Sequence, residues 1–280
     1  MQGSYNKIAM EKEILTFFGD LKIEDLALTL PKNEIEVIDL ENVNFIYPSA
    51  ITALASYLYE KKKKGNPPIV KLPPQPSGIK GYLKRIKFDE FSGSEIHVSQ
   101  QEHPPEGRFT ELTLIDSFDK KEKFISELAE VFSEELEENT IREILAATSE
   151  LIENVLLHSG DNPWCIAMAQ KYRSNIEVSI SDRGIGIRGS LARNKDWNVL
   201  FDALAVQLAV RKGITRDSEK FAGEGLWMVK NFAINQKGFF WLWSGNGFFT
   251  ASPWTQGAGS VPGYWQGTSV GFYFKRHGRR

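Results

Sequence analysis

Two strand-like runs and the glycine-rich turn after them, between residues 164 and 187, restrict the fold more than any other part of the sequence. The runs WCIAMAQ and IEVSISD are separated by five residues, a spacing typical of an antiparallel hairpin. The second run ends at Asp182, with Gly184 and Gly186 directly after it. These glycines would let the backbone approach a ligand closely, and the Asp182 carboxylate could accept a hydrogen bond from an amine such as that of adenine. A turn with an N-cap aspartate would give the same letters.

A long amphipathic helix is predicted before this hairpin. Apolar residues recur at helical spacing over 141–156, and Thr140 with Glu143 has the form of a capping box at the helix start. Glu150 and Asn154 are four residues apart, so they project on nearly the same face. Such a pair is either solvated or part of a site.

A second glycine turn opens another helix nearer the C-terminus. Gly223 and Gly225 flank Glu224, and the run LWMVKNFAI that follows has helical spacing. Free N–H groups at a helix N-terminus bind phosphate oxygens. The run is neither a dinucleotide fingerprint nor a P-loop, since the Gly-Lys-Ser/Thr ending is missing. The last predicted strand begins at Gly267 and Thr268.

In this order, these segments resemble the Bergerat-type (GHKL) ATP-binding domain shared by DNA gyrase, histidine kinases and anti-sigma-factor kinases. The resemblance covers about residues 110–280, with SELIENVLLHS, SDRGIGI, GEGLWMV and GTSVGF in the positions of the family's motifs. It implies an α/β sandwich in which a mixed, mainly antiparallel sheet packs on helices.

The resemblance also implies a role for each motif residue. Asn154 corresponds to the family's magnesium ligand, and Glu150 to the carboxylate that accepts a proton from water or a serine hydroxyl. Asp182 corresponds to the residue that reads adenine, and Thr268 to the residue that helps to hold it. The glycines implied to lie against the nucleotide are Gly184, Gly186, Gly223 and Gly225. ATP and Mg²⁺ are therefore the expected ligands.

Two neighbouring features are weaker candidates. Residues 188–222 resemble the family's ATP lid, with a helix predicted to end at Gly213 and a polar loop after it. Arg216 and Lys220 in that loop are either phosphate contacts or solvated charges. Glu153 is a second carboxylate on the 141–156 helix, but we expect it to project away from the site.

The chain before residue 106 has a different composition. Nine of the 12 prolines lie there, whereas all 7 tryptophans lie later, and neither a helix nor a central strand continues through Pro104 and Pro105. We therefore predict two domains, 1–105 and 106–280. No disulfide or multi-thiolate zinc site can form within one chain, because Cys165 is the only cysteine.

The first domain alternates strand and helix. A strand over 34–40, a helix over 51–64, a strand from Ile69 and a helix over 76–87 are typical of a small α/β layer with a parallel pair. The run VIDLENVNFIYPSAITALASYL resembles the strand, turn and helix of STAS domains, the fold of anti-sigma-factor antagonists.

Ser49 corresponds to the phosphorylated serine of the STAS family, although its neighbours Tyr47, Pro48 and Ala50 depart from the family pattern. The alternative is that Ser49 is the N-cap of the helix, without a regulatory role.

Charge and hydropathy exclude several partners. A net charge of −2 gives no field for binding nucleic acid or an acidic membrane, and no apolar run approaches the about 20 residues of a membrane-spanning helix. We expect a cytoplasmic protein. A sensor histidine kinase is disfavoured, since the only histidines before residue 150 are His97 and His103.

These expectations favour an ATP-binding regulatory or signalling protein. It would be a slow Mg-dependent ATPase or an anti-sigma-like serine kinase that acts on a protein partner, such as a STAS or sigma-factor-type regulator. The alternatives are a nucleotide-gated interaction module without significant catalysis and a domain that has lost nucleotide binding. The sequence leaves open whether the chain forms a homodimer.

Overall fold

The computed structural model describes most of the chain, in eight segments: 8–11, 14–30, 35–74, 78–97, 108–133, 136–194, 199–214 and 224–275. These segments form an α/β protein with two sheets. None of the helices in them combines the length and the apolar character that a bilayer span requires. The predicted domain junction near residue 106 lies outside the described residues.

The described residues of the N-terminal half form a four-stranded sheet and four helices. The strands are β1 (Ile8–Glu11), β2 (Ile14–Leu21), β3 (Val37–Ile46) and β4 (Ile69–Lys71), and the helices are α1 (Ile23–Thr29), α2 (Pro48–Lys63), α3 (Gly78–Arg85) and α4 (Asp89–Ser92). The order is β1-β2-β3-β4, with β2, β3 and β4 parallel and β1 antiparallel to β2. The elements predicted over 34–87 are present, whereas β1, β2 and α1 were not predicted.

In the part of the C-terminal half that the structure describes, there are a five-stranded sheet and five helices. The elements in chain order are β5 (Thr113–Ile115), α5 (Phe118–Phe132), α6 (Glu138–His158), β6 (Cys165–Lys171), β7 (Asn175–Asp182), α7 (Gly186–Leu191), α8 (Asp202–Ala209), α9 (Gly225–Asn235), β8 (Phe239–Ala251) and β9 (Gln256–Lys275). The sheet order is β5-β6-β7-β9-β8. All four neighbouring pairs are antiparallel, so the described sheet is not the mixed one that the sequence predicted. The hairpin of β6 and β7 is confirmed.

Two helices begin earlier than their capping patterns indicated. α6 begins at Glu138 with Glu137 as its N-cap, so Thr140 lies inside the first turn and the predicted capping box is wrong. α2 begins at Pro48, and Tyr47 is its N-cap. Proline has the helical φ already and needs no N–H donor at the first position of a helix. Ser49 is therefore the second helical residue rather than the N-cap.

The C-terminal sheet is covered on both faces. Helices α5, α6 and α9 pack on one face, around Ala167 and Ile180. Helix α2 of the N-terminal half packs on the other face, around Ile166 and Met168. Because neighbouring residues of a strand point to opposite faces, a strand covered on both sides is apolar on both faces, as β6 is from Cys165 to Ala169. One continuous core therefore joins the two halves.

A row of buried polar groups, which we call the polar seam, lies between α2 and β7. It consists of Ser49, Thr52, Glu177, Ser179 and Ser181. The Thr52 hydroxyl is 2.8 Å from Ser179 Oγ and 3.2 Å from Ser181 Oγ, and the Ser49 N–H donates to Glu177 Oε1 over 3.3 Å. Buried polar groups need such partners, so the seam fixes the position of α2 on the sheet.

Glu177 makes the stability of this interface depend on pH. Burial raises the pKa of Glu177 from 4.5 to about 8, although the Ser49 N–H opposes the shift. The folded state therefore holds the proton more tightly than the unfolded state. The contribution of Glu177 to the free energy of unfolding is therefore complete below about pH 4.5 and is lost as the pH rises toward 8.

We expect Glu177→Gln to remove this loss of stability at higher pH, because glutamine has no proton to release. Relative to wild type, the free energy of unfolding of the variant should rise between pH 5 and pH 8 by on the order of 3 kcal/mol. Urea denaturation at several pH values measures the difference. Glu130→Gln, on the exposed side of α5, is the matched control and should show no such trend. A difference between Glu177→Gln and wild type that stays constant with pH would contradict the expectation.

Candidate functional site

A cavity of about 480 Å³ lies between α6, the end of β7, α7 and the N-terminus of α9. Six predicted site residues line it: Glu150, Asn154, Asp182, Gly186, Gly225 and Thr268. Apolar side chains such as Leu191 and Val270 form other parts of the wall. The structure therefore brings residues from four distant segments of the sequence into one cavity.

One wall of the cavity is a half-buried face of α6. Glu150 and Asn154 lie one turn apart there, and Asn154 Nδ2 donates to Glu150 Oε1 over 3.4 Å. Burial raises the pKa of Glu150 and the nearby Glu153 raises it further, against smaller opposing effects of Asn154 and Lys121. A carboxylate with a raised pKa is a stronger base, as general-base catalysis requires.

The neighbouring carboxylate, Glu153, also lines the cavity, so the expectation that it projects away from the site is wrong, but it is held by other groups. Its Oε1 accepts hydrogen bonds from Lys121 Nζ at 2.7 Å and from Ser149 Oγ at 3.0 Å. The hydrogen bond from Lys121, whose side chain is only 7% exposed, is the main reason that the pKa of Glu153 is lowered. Glu150 is therefore the better placed of the two carboxylates to accept a proton.

Asp182 ends β7 with its carboxylate buried at the cavity. Its Oδ1 accepts the Gly184 N–H over 2.7 Å, and both the N–H and the hydroxyl of Thr268 also donate to the carboxylate. Burial raises the pKa of Asp182 to about 7, and these donors and Arg183 limit the shift. The carboxylate is thus held in one orientation before any ligand binds.

Two glycines allow close contacts at the cavity. Gly186 begins α7 with φ +71°, and a Cβ there would lie 2.7 Å from Ser244 Oγ. Gly225 is the first residue of α9, and a Cβ there would overlap the Glu150 carboxylate. The N-terminus of α9 therefore packs directly against Glu150, and a larger residue at position 225 would displace the Glu150 carboxylate.

Two further side chains hold the glycine turn, and the sequence reading missed both. Ser244 of β8 accepts the Ile187 N–H over 2.9 Å and donates to the Gly267 carbonyl over 2.8 Å. Gln266 Nε2 donates to the Gly184 carbonyl over 2.5 Å. Their only signal in the sequence was a polar side chain among the apolar and glycine residues of β8 and β9, which other polar residues of these strands, such as Asn246 and Ser269, share. Both residues lie where the pairing of β8 and β9 shifts register, and such bulges are frequent next to sites.

The predicted lid is described only in part. Helix α8 ends at Ala209 rather than at Gly213, and Ile214 lines the cavity. Gly223, Arg216 and Lys220 lie outside the described residues.

The donor set fits a nucleotide with magnesium better than a metal bound by protein alone. In the described segments, no three His, Cys, Asp or Glu side chains form a group that could hold a metal ion. Magnesium that bridges phosphates needs only one or two protein oxygens, and Asn154 can offer its amide oxygen while its Nδ2 faces Glu150.

Neither the protein-family models nor the curated proteins give a match to this chain.

Proposed function

We propose that the chain is a regulatory protein with a Bergerat-type fold that binds Mg-ATP in this cavity, and that it either hydrolyses ATP slowly or phosphorylates a protein partner. One observation carries the proposal: a buried, pre-oriented carboxylate, Asp182, shares a cavity with Glu150, Asn154 and the N-terminus of α9. In this proposal Asp182 accepts a hydrogen bond from adenine, Glu150 is the base and Asn154 is the metal ligand. The N-terminus of α9 binds the phosphates.

At the base-binding part of the site, the Asp182 carboxylate accepts the exocyclic amine of adenine. Gly184 and Thr268 already occupy part of its hydrogen-bonding capacity, so the remaining lone pairs face a defined direction. Apolar residues of the same cavity, including Leu191 and Val270, exclude water. A buried acceptor of this kind rejects bases that present no donor to it.

At the phosphate-binding part, the free N–H groups at the N-terminus of α9 bind phosphate oxygens. Asn154 offers its amide oxygen to magnesium, which neutralises phosphate charge when it is bound. Glu150 lies beside both Asn154 and the N-terminus of α9. Its carboxylate accepts a proton from the attacking water or from the hydroxyl of a substrate serine.

We propose slow turnover because of the charges at the described part of the site. Among the described residues that line the cavity, none is a lysine or an arginine, and such fixed cations are what stabilises the charge that develops on a transferring phosphate. The same observation favours a second candidate function, an interaction module that ATP switches without significant catalysis. The two differ in whether phosphate is released or transferred.

The N-terminal half supports a signalling role through its three parallel strands with flanking helices, the arrangement expected for a STAS-like layer. We propose a protein partner of the STAS or sigma-factor type for it. Ser49 is not proposed as a phosphorylation site. Its side chain is buried beside Glu177, where a phosphate dianion would meet a carboxyl group in a medium of low dielectric constant.

Calorimetric titration of the wild-type chain with Mg-ATP tests the proposal. We expect a dissociation constant between about 1 μM and 1 mM and binding of Mg-GTP at least about tenfold weaker, because guanine carries a carbonyl oxygen at the position where adenine carries the amine that Asp182 accepts. Chelation of magnesium should weaken the binding of ATP. An absence of heat with Mg-ATP in a range of buffers, confirmed by equilibrium dialysis, would refute the proposal.

A further inference from the structure

Arg183 connects the nucleotide site to the N-terminal half. It lies between Asp182 and Gly184, but its side chain is directed to α2 rather than lining the cavity. Arg183 Nε donates to Glu60 Oε2 over 2.8 Å, and the two side chains are only 10% and 15% exposed. An ion pair that is almost buried therefore spans the two halves of the protein.

Aromatic rings hold the same guanidinium group from both halves. Arg183 Cζ lies 5.5 Å from the ring centroid of Tyr57 on α2 and 4.9 Å from that of Trp265 on β9. These are distances of cation–π contacts. The next residue on β9, Gln266, donates to the carbonyl of Gly184. The side chain of Arg183 and the turn it belongs to are thus fixed by α2 and β9 together.

The ion pair is charged on both sides. Burial alone would raise the pKa of Glu60, but the nearby cations of Arg183 and Lys64 bring it below its usual value. Removing one partner of a buried pair leaves the other charge uncompensated, which costs far more than the loss of an exposed pair. A change at Glu60 must therefore disturb Arg183.

A second connection runs through the polar seam. Thr52 of α2 lies 3.2 Å from Ser181 Oγ, which lies 2.8 Å from Ser269 Oγ. Ser181 precedes Asp182, and Ser269 follows Thr268. Because neighbouring strand residues point to opposite faces, α2 packs on the face of the sheet opposite Asp182 and Thr268, against the residues next to them in sequence.

We propose that Glu60 and Arg183 are positioning residues of the nucleotide site, through which helix α2 sets the orientation of the Asp182 carboxylate. This inference rests on the proposed function, since it takes Asp182 to be the residue that reads adenine. By linkage, ATP binding and the docking of α2 on the sheet strengthen each other. A protein that binds the N-terminal half and shifts α2 would then weaken ATP binding.

Four full-length variants and two ligands test the inference by calorimetry. The variants are Glu60→Gln, Arg183→Gln, the double variant and Lys64→Gln. The last is the matched control, because Lys64 forms the other ion pair of Glu60, over 2.8 Å, and is mostly exposed. The ligands are Mg-ATP and inorganic tripolyphosphate with magnesium, which lacks the base that Asp182 would bind.

We expect Glu60→Gln and Arg183→Gln each to weaken Mg-ATP binding about three- to tenfold, and the double variant to bind no more weakly than Arg183→Gln, since both changes break one interaction. Binding of tripolyphosphate should stay within about twofold of wild type in every variant, and Lys64→Gln should bind both ligands as wild type does.

Three results would overturn the inference. If wild type and Glu60→Gln bind Mg-ATP equally, the positioning role is wrong while the proposed function stands. If both ligands lose affinity in parallel with thermal stability, the pair has only a structural role. If wild type itself does not bind Mg-ATP, the proposed function fails, and the positioning role fails with it.

Discussion

Replacing Glu150 by glutamine is expected to lower the rate of ATP turnover by about 10²–10⁴-fold, the usual contribution of a general base, and to leave the dissociation constant for Mg-ATP within about threefold of wild type. Glutamine keeps the shape of glutamate and an oxygen that can accept the hydrogen bond from Asn154 Nδ2, but it cannot take up a proton. The interaction that is lost therefore belongs to the transition state alone, and kcat should fall without a matching change in KM.

A phosphate-release assay with and without the protein partner measures this effect, alongside calorimetry for binding. Glu153→Gln is the matched control, because Glu153 lies in the same cavity but is paired with Lys121. Wild-type activity should also fall as the pH drops through the raised pKa of Glu150, and the residual activity of Glu150→Gln should lack this decline. Equal losses of kcat in the two variants would remove Glu150 from the mechanism.

Asp182→Asn is expected to weaken Mg-ATP binding by on the order of 10³-fold, because sites built around a buried hydrogen-bonding group discriminate strongly when one partner is changed. The side-chain amide of the asparagine keeps one acceptor oxygen, but Gly184 and Thr268 already donate hydrogen bonds at this position. Its NH₂ group would face the amine of adenine, so two donors would meet in a cavity that excludes water. Tripolyphosphate binding should be unchanged.

The protonation of Asp182 gives an independent check. With a pKa of about 7, the carboxylate of wild type becomes protonated as the pH falls below 7, so adenosine should bind more weakly at pH 6 than at pH 8. Adenosine is the suitable probe because it has no phosphates that titrate. The folded state binds this proton more tightly than the unfolded chain, so Asp182→Asn should be at least as stable as wild type at pH 8. If the Asp182→Asn variant is folded and binds adenosine normally, Asp182 is not the adenine reader.

Local patterns in the sequence predicted the elements that build the site. The alternation around residues 164–182 predicted the hairpin of β6 and β7, and helical spacing placed Glu150 and Asn154 on one face of α6. Such patterns depend on neighbours within a few residues. The positions of Asp182 and Gly225 in one cavity agree with the expected order of motifs, while their roles stay predictions.

What the sequence could not predict depends on contacts between distant residues. Arg183 and Glu60 are 123 positions apart, and Ser244 and Ile187 are 57 apart; no local period relates such pairs. The predicted starts of two helices, α2 and α6, were wrong for a different reason. The N-caps Tyr47 and Glu137 make no side-chain capping hydrogen bond, so no capping residue marked either start, and Pro48 rather than Ser49 determined where α2 begins.

The continuous core limits how the two halves could have been exchanged during evolution. Without α2, the sheet of the C-terminal half would expose a strip of large apolar side chains, among them Met168 and Trp265, together with the unpaired charge of Arg183. A gene fusion or deletion that separates the halves at the junction would therefore yield an aggregation-prone, poorly folding fragment rather than an independently folding domain. The two halves are expected to be inherited together, with compensating substitutions on both sides of their shared surface.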